Sequence, residues 1–301
     1  MATAATIDER RDNRYHHASN KLVELERQTM ASINRSGLTF TDKVTIITGG
    51  ANGIGAGIAR VFVDAGAIVV VGDIDDALGQ KSADALTQHG PGRCTFVHCD
   101  AADEASVRSL VDTTAAQFGR IDCLINNVAI FLESKPIEKY TLAELDRQWQ
   151  INFVSYFVAC QQALPHLRKT KGSIVNMSSL VAKVGQRRTS TYVASKGAIS
   201  AFTKGLAIEV AESGVRVNAV LPGNALSDAR RRGVAKHPQP DVFDKWIDTT
   251  QYVGRSAEVE EVAQVCLFLA SDAASFMTGT ETMVTGAAEL GYGPKVGPAM
   301  M

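Results

Sequence analysis

The chain has 301 residues, 45% hydrophobic and 21% charged, enough for one large or two small domains with a sizeable core and the composition of a soluble globular protein. Its net charge of −1 gives no general attraction to nucleic acid or to an acidic membrane surface, and no run approaches the roughly 18 apolar residues of a membrane span. The five cysteines (94, 99, 123, 160 and 266) are odd in number and form no C-x-x-C, which favours reduced, buried thiols, an intracellular protein and a cytoplasmic location.

The N-terminus, MATAATIDERRDNRYHH, lacks the apolar core of a secretory signal, and Asp8, Glu9 and Asp12 among its arginines oppose a mitochondrial transit peptide. Residues 1–40 are polar and form an arm, either a flexible tail or a contact with another subunit; Leu22, Val23, Leu25 and Met30 allow a weak amphipathic helix there. From Lys43 onward, short β-rich runs alternate with helical stretches. The runs are KVTIIT, AIVVVGD, CTFVHCD, IDCLIN, GSIVNMSS, VRVNAVLP and ETMVTG; the helical stretches include residues 58–65, 107–118, 142–167 and 198–211. This alternation predicts an α/β, Rossmann-type, doubly wound fold. Seven parallel strands are flanked by helices in a single domain, residues 41–301. His98, Cys99 and Asp100 are adjacent, but neighbours on a strand face opposite ways, so no metal site is expected.

The first strand runs into TGGANGIG, residues 48–55, and then into a helix with an apolar face. Glycines in such a turn let the backbone approach a pyrophosphate, and the helix N-terminus supplies free N–H groups. Gly49, Asn52, Gly53, Ile54 and Gly55 are therefore candidate cofactor contacts. The second strand ends in Asp73, eighteen residues after Gly55, about where an acid meets the adenosine ribose. A carboxylate there repels a 2′-phosphate, and Ile74, Asp75 and Asp76 follow it without a base, so NAD is expected over NADP.

The spacing T-G-x-x-x-G-x-G resembles the short-chain dehydrogenase/reductase family, over residues 42 to about 293. The resemblance implies that Asp100 binds the adenine amino group with Ala101 beside it, and that Asn126 is a cofactor contact. Where the family has N-N-A-G this chain has NNVA, and Val128 and Ala129 should narrow the floor of the nicotinamide cleft.

Tyr192 and Lys196 lie one helical turn apart in TYVASK, on one face. A free phenol titrates near 10, and a neighbouring cation favours its phenolate, as a base for alcohol oxidation requires. The pair matches the family's Y-x-x-x-K, which implies a general base at Tyr192, with Lys196 lowering its pKa and both also touching cofactor. Family spacing selects Ser179 over Ser178 as the residue that positions the substrate oxygen, and makes Asn152, in RQWQINFVSYF, the holder of a proton-relay water. After the sixth strand, Pro222, Gly223, the backbone of Ala225 and the hydroxyl of Ser227 correspond to the nicotinamide-side contacts. Residues of about 224–250 correspond to a substrate lid. The lid's Arg230, Arg231 and Arg232 fit either a solvated helix face or a contact with a carboxylate, phosphate or polyol. Arg187 and Arg188 sit in a loop that borders substrate in this family and are substrate candidates; they fit equally a solvent-facing pair.

VTGAAELGYG, GAGIARVF, IDCLINN, LPHLRK and SSLVAKVGQ are similar to the branch containing type 14 17β-hydroxysteroid dehydrogenase. That branch implies a small-molecule secondary alcohol, sugar or hydroxysteroid, with the arginines tilting the expectation toward a polar one. The family also implies a homotetramer, with no nucleic-acid or membrane partner. Two alternatives are an NADPH-dependent biosynthetic ketoreductase and a non-catalytic NAD-binding interaction protein.

Overall fold

The first strand, β1 (Val44–Thr48), is buried along its whole length, as a central strand of a sheet covered on both faces must be. In the computed structural model, which describes residues 38–291, it is followed by α1 (Gly53–Asp64), β2 (Ile68–Asp73), α2 (Asp76–His89), β3 (Arg93–His98), α3 (Glu104–Phe118) and β4 (Cys123–Asn126). Next come α4 (Leu142–Trp149), a π-helical turn (Gln150–Val154), α5 (Ser155–Thr170), β5 (Ser173–Met177), α6 (Val181–Val184) and α7 (Ser190–Val210). The chain continues with β6 (Arg216–Pro222), α8 (Asp228–Ala235), α9 (Pro240–Thr249), α10 (Val259–Ala270) and β7 (Glu281–Val284).

The strands form one seven-stranded sheet in the order β3-β2-β1-β4-β5-β6-β7, every neighbouring pair parallel. The order reverses between β1 and β4, and a crevice opens there beyond the strands' carboxyl ends, where ligands bind in this architecture. One helical layer buries Leu110, Val111, Leu164, Leu167 and Leu206 against Ile46, Leu124 and Ile174 of the sheet. Helix entry follows side-chain chemistry: Asp75 accepts from the Leu78 N–H, Asp103 from the Ala105 N–H, and Thr141 with Glu144 forms a capping box.

All seven predicted strands form. The arm boundary moves, because Phe40 is 1% exposed and packs edge-on against Phe62 at 5.3 Å. Phe40 therefore belongs to the domain's core, while residues 1–37, and the weak amphipathic helix that the sequence allows there, lie outside the described residues. The helical stretch over residues 142–167 consists of α4 and α5 joined by the π-helical turn, which contains Asn152. All five cysteines are free and buried; desolvation pushes Cys94, Cys99, Cys123 and Cys160 up to about 12. His98 contacts Asp76 at 2.7 Å, away from buried Cys99.

Candidate active site

A cavity of about 810 Å³ lies along the carboxyl ends of the strands. At one end is the glycine loop. Gly49 and Gly53 have φ of +65° and +56°, which side chains other than glycine rarely adopt. A Cβ on Gly55 would sit 2.1 Å from the Gly49 carbonyl oxygen, so α1 starts hard against the loop only because this residue is glycine. The first turn of α1 holds no acid and Asn52 makes no side-chain cap; the Gly53 N–H donates instead to the Asp228 carboxylate at 3.3 Å, while Ile54 and Gly55 line the cavity.

Asp73 closes β2 with both oxygens engaged: one accepts from the Ala51 N–H at 3.0 Å, the other from the Asp75 N–H at 3.2 Å. Its carboxylate is thus fixed beside the loop. Asp100 and Ala101 line the same end, with Asp100 accepting from the Ala102 N–H. This set fits a dinucleotide: a glycine turn at a helix N-terminus and an acid at the end of the second strand.

Asn126 is a correction. Its side chain is fully buried on the other side of β4, donating to Asn176 Oδ1 at 2.9 Å and to Cys160 Sγ at 3.3 Å. Alternation along an extended segment turns the next residue the opposite way. Asn127 lines the cavity and donates to the carbonyls of Thr48 and Gly49, at 3.0 and 2.9 Å, clamping the glycine loop. The asparagine doublet with strand alternation was the signal for it. Val128, Ala129, Ile130 and Phe131 continue this wall.

Ser179, Tyr192 and Lys196 meet at the other end. The Ser179 hydroxyl accepts from the Val181 N–H at 3.3 Å and favours the Tyr192 phenolate, while Ser178 turns its hydroxyl to the Lys196 carbonyl and to Ser200. Lys196 is 2% exposed and donates to the Met177 carbonyl at 2.7 Å. Burial pushes Tyr192 up to about 12, against the pull of the Ser179 hydrogen bond, and pushes Lys196 down to about 7. Desolvation penalises each of these charges taken alone. Phe131, 53% exposed, sets its ring edge-on to Tyr192 at 5.0 Å.

Asn152 stands behind the cavity in the π-helical turn. Its Oδ1 accepts from the Ile130 N–H at 2.8 Å, and its Nδ2 donates to the Ile130 carbonyl and to Ser195 Oγ. Pro222, Gly223 and Ser227 line the cavity, and Ser227 caps α8. Ala225 does not reach it: it is 6% exposed, bridged to Ala257, and its carbonyl accepts from the Ser227 N–H.

Neither Arg187 nor Arg188 lines the cavity; both are exposed. Gly185 and Arg188, with φ of +71° and +63°, swing this loop outward, and the Arg188 carbonyl is held by Tyr140 and the Lys135 N–H. The lid arginines part company. Arg230 is 8% exposed and bridges Asp244 at 2.6 Å and Asp248 at 3.1 Å. Arg231 pairs with Asp228, and Arg232 lines the cavity, as does Arg147 of α4, which the sequence did not single out.

A seven-stranded parallel Rossmann sheet carrying a glycine loop, a serine, a tyrosine and a lysine in one cleft defines a class of oxidoreductase folds. The chain belongs to the short-chain dehydrogenase/reductase family. A family model described as enoyl-(acyl carrier protein) reductase matches residues 49–287. L-fucose dehydrogenase of Bos taurus is 42% identical over 263 residues, covering 87% of this chain and 95% of that protein. Cis-4-hydroxycyclohexanecarboxylate dehydrogenase of Sinomonas cyclohexanicum is 37% identical over 259 residues, 83% and 98% of the two chains. The crystal structure of Cj0485 dehydrogenase superposes with a TM-score of 0.77 at 30% identity, covering 83% of this chain and 95% of that one.

Proposed function

We propose that the protein is an NAD-dependent dehydrogenase that interconverts a cyclic secondary alcohol and its ketone, or a cyclic hemiacetal and its lactone. One observation carries the reading: Ser179, Tyr192 and Lys196 share a single cavity with the glycine loop and Asp73. The similarity to dehydrogenases named for a sugar and for a hydroxylated cyclohexane supports a ring alcohol. The wall formed by Val128, Ile130 and Phe131 suits the apolar face of such a ring, and hydroxysteroids stay within the class. Arg187 and Arg188 lie outside the cavity, but Arg147 and Arg232 line it, so a polar substrate keeps cationic partners there.

Ser179 and Tyr192 would hold the substrate oxygen between two hydroxyls. Tyr192 would take the alcohol proton, and Lys196, in contact with the same phenol ring, favours the phenolate once it carries charge. A bound nicotinamide would supply the acceptor for the hydride leaving the carbinol carbon. Gly49, Asn52, Ile54, Asp73, Asp100, Asn127 and Ser227 would hold it, and Asp73 would favour NAD by accepting from ribose hydroxyls. A screen of NAD reduction across aldoses, cycloalkanols and hydroxysteroids tests the substrate class. On the best substrate, Tyr192→Phe should lower kcat/KM by about 10²- to 10⁴-fold while leaving NAD binding within about twofold. Retained turnover in that variant removes the mechanism.

A further inference from the structure

Lys196 has a second aromatic neighbour that this chemistry leaves without a role. Tyr156, in α5, is fully buried, and the Lys196 ammonium lies over its ring, 5.8 Å from the centroid. The centroid of the Tyr192 ring is 5.7 Å from the same ammonium. Tyr156 Oη also donates to the Met177 carbonyl at 3.4 Å, the same oxygen that accepts from Lys196 at 2.7 Å. Phenol and ammonium therefore converge on one acceptor from two helices.

We propose that Tyr156 is a positioning residue for Lys196: its ring and hydroxyl form the inner wall that fixes the ammonium beside Tyr192 and keeps it charged. The proposal rests on the reading of Tyr192 and Lys196 as the proton-transfer pair. Other groups leave this task open. The Asn152 amide is committed to Ile130 on both of its ends and to Ser195. Among the described residues no carboxylate pairs with Lys196; the titratable groups against it are Tyr192 on its own helix and Tyr156 on α5, which in turn has Cys160 beside it. Burial holds Tyr156 and Cys160 protonated and neutral, so a π face and one carbonyl are what the lysine has to offset its desolvation. A cation over an aromatic face within about 6 Å in a desolvated site is stabilised by the ring quadrupole.

The π-helical turn makes the placement. It contributes both Asn152 and the step in register that delivers Tyr156, four residues later, beneath the lysine. A residue that only filled the core needs no hydroxyl, and none directed at the lysine's own acceptor.

The sign follows from charge. Weakening the ring's hold on the ammonium lowers the lysine's proton affinity, so the phenolate at 192 loses support and the alkaline rise of alcohol oxidation moves to higher pH. Phenylalanine, 4-fluorophenylalanine and 3,4,5-trifluorophenylalanine at position 156 keep the shape while weakening the quadrupole in steps. The pH midpoint of kcat/KM should climb along this series by about half a unit to one unit in total. Tyr156→Leu, where it folds, should move it at least as far. Carbon-13 labelling of lysine, with the Lys196 ε-carbon assigned through Lys196→Met, reads the same change without turnover: its midpoint should fall along the series. Midpoints that stay in place across the series overturn the proposal, even if kcat drops. Should the wild-type enzyme oxidise no alcohol, the functional reading fails, and the lysine titration still decides the role of Tyr156.

Discussion

Asp73 ties down the Ala51 and Asp75 amides, which shapes the glycine loop. In the proposed function the same carboxylate would accept from the adenosine ribose. Two anions a hydrogen bond apart near a protein surface repel strongly enough to set cofactor choice by an order of magnitude or more. Asp73→Ser keeps a short acceptor for the loop and removes the charge. The ratio of kcat/KM for NADP over NAD should therefore rise by at least about tenfold in this variant; an unchanged ratio would mean the acid does not read the ribose. At this scale, motifs were legible where backbone geometry is local. The glycine loop, Asp73 and the Tyr192–Lys196 turn could be placed because a strand end or one helical turn fixes them. Arg187 and Arg188 could not: two positive-φ residues steer their loop, and Arg188 is held in that conformation by Tyr140 and Lys135, far away in sequence.

Among the elements, the strands announced themselves as near-continuous apolar runs, which only a sheet buried on both faces requires. The lid helices α8 and α9 carried no such signal, since α8 has no buried residue and α9 only Ile247. They are held by charge. Arg230 reaches from α8 to Asp244 and Asp248 of α9, and Asp248 also accepts from the N–H and hydroxyl of Ser256. Removing one partner of a buried pair costs roughly 3–5 kcal/mol, less here because both aspartates are partly exposed. Arg230→Ala should accelerate amide exchange across residues 228–249 and raise KM, while the amides of β1, β4 and β5 keep their protection. Uniform loss of protection would show instead that the lid and the sheet open together. The π-helical turn left no mark in the apolar spacing, because slipping one backbone hydrogen bond does not change it.

For the whole molecule, the feature still to be satisfied is an aromatic face spanning α4, the π-helical turn, α5 and α7. Trp149 meets Phe153 at 5.0 Å, and Phe153 and Phe157 both meet Phe202, at 5.7 and 6.2 Å. Phe157 is 44% exposed, and Ile208 on α7 is 81% exposed. Contiguous apolar surface of this kind marks an interaction site. A homotetramer is the expected assembly, and light scattering should give a mass of four 32.2 kDa chains. Phe157→Glu should break the assembly without altering the far-ultraviolet circular dichroism. A monomeric wild-type protein would rule the assembly out.

The buried cysteines carry a practical consequence. A thiol reagent attacks only thiolate that solvent can reach, and the five are spread through the architecture: Cys94 in β3, Cys99 at the cavity, Cys123 in β4, Cys160 in α5 and Cys266 in α10. Each therefore times the breathing of its own layer. Labelling of Cys99 records how often the cofactor end loosens, and labelling of Cys123 records how often the central sheet comes apart, so the chain arrives with its own set of clocks.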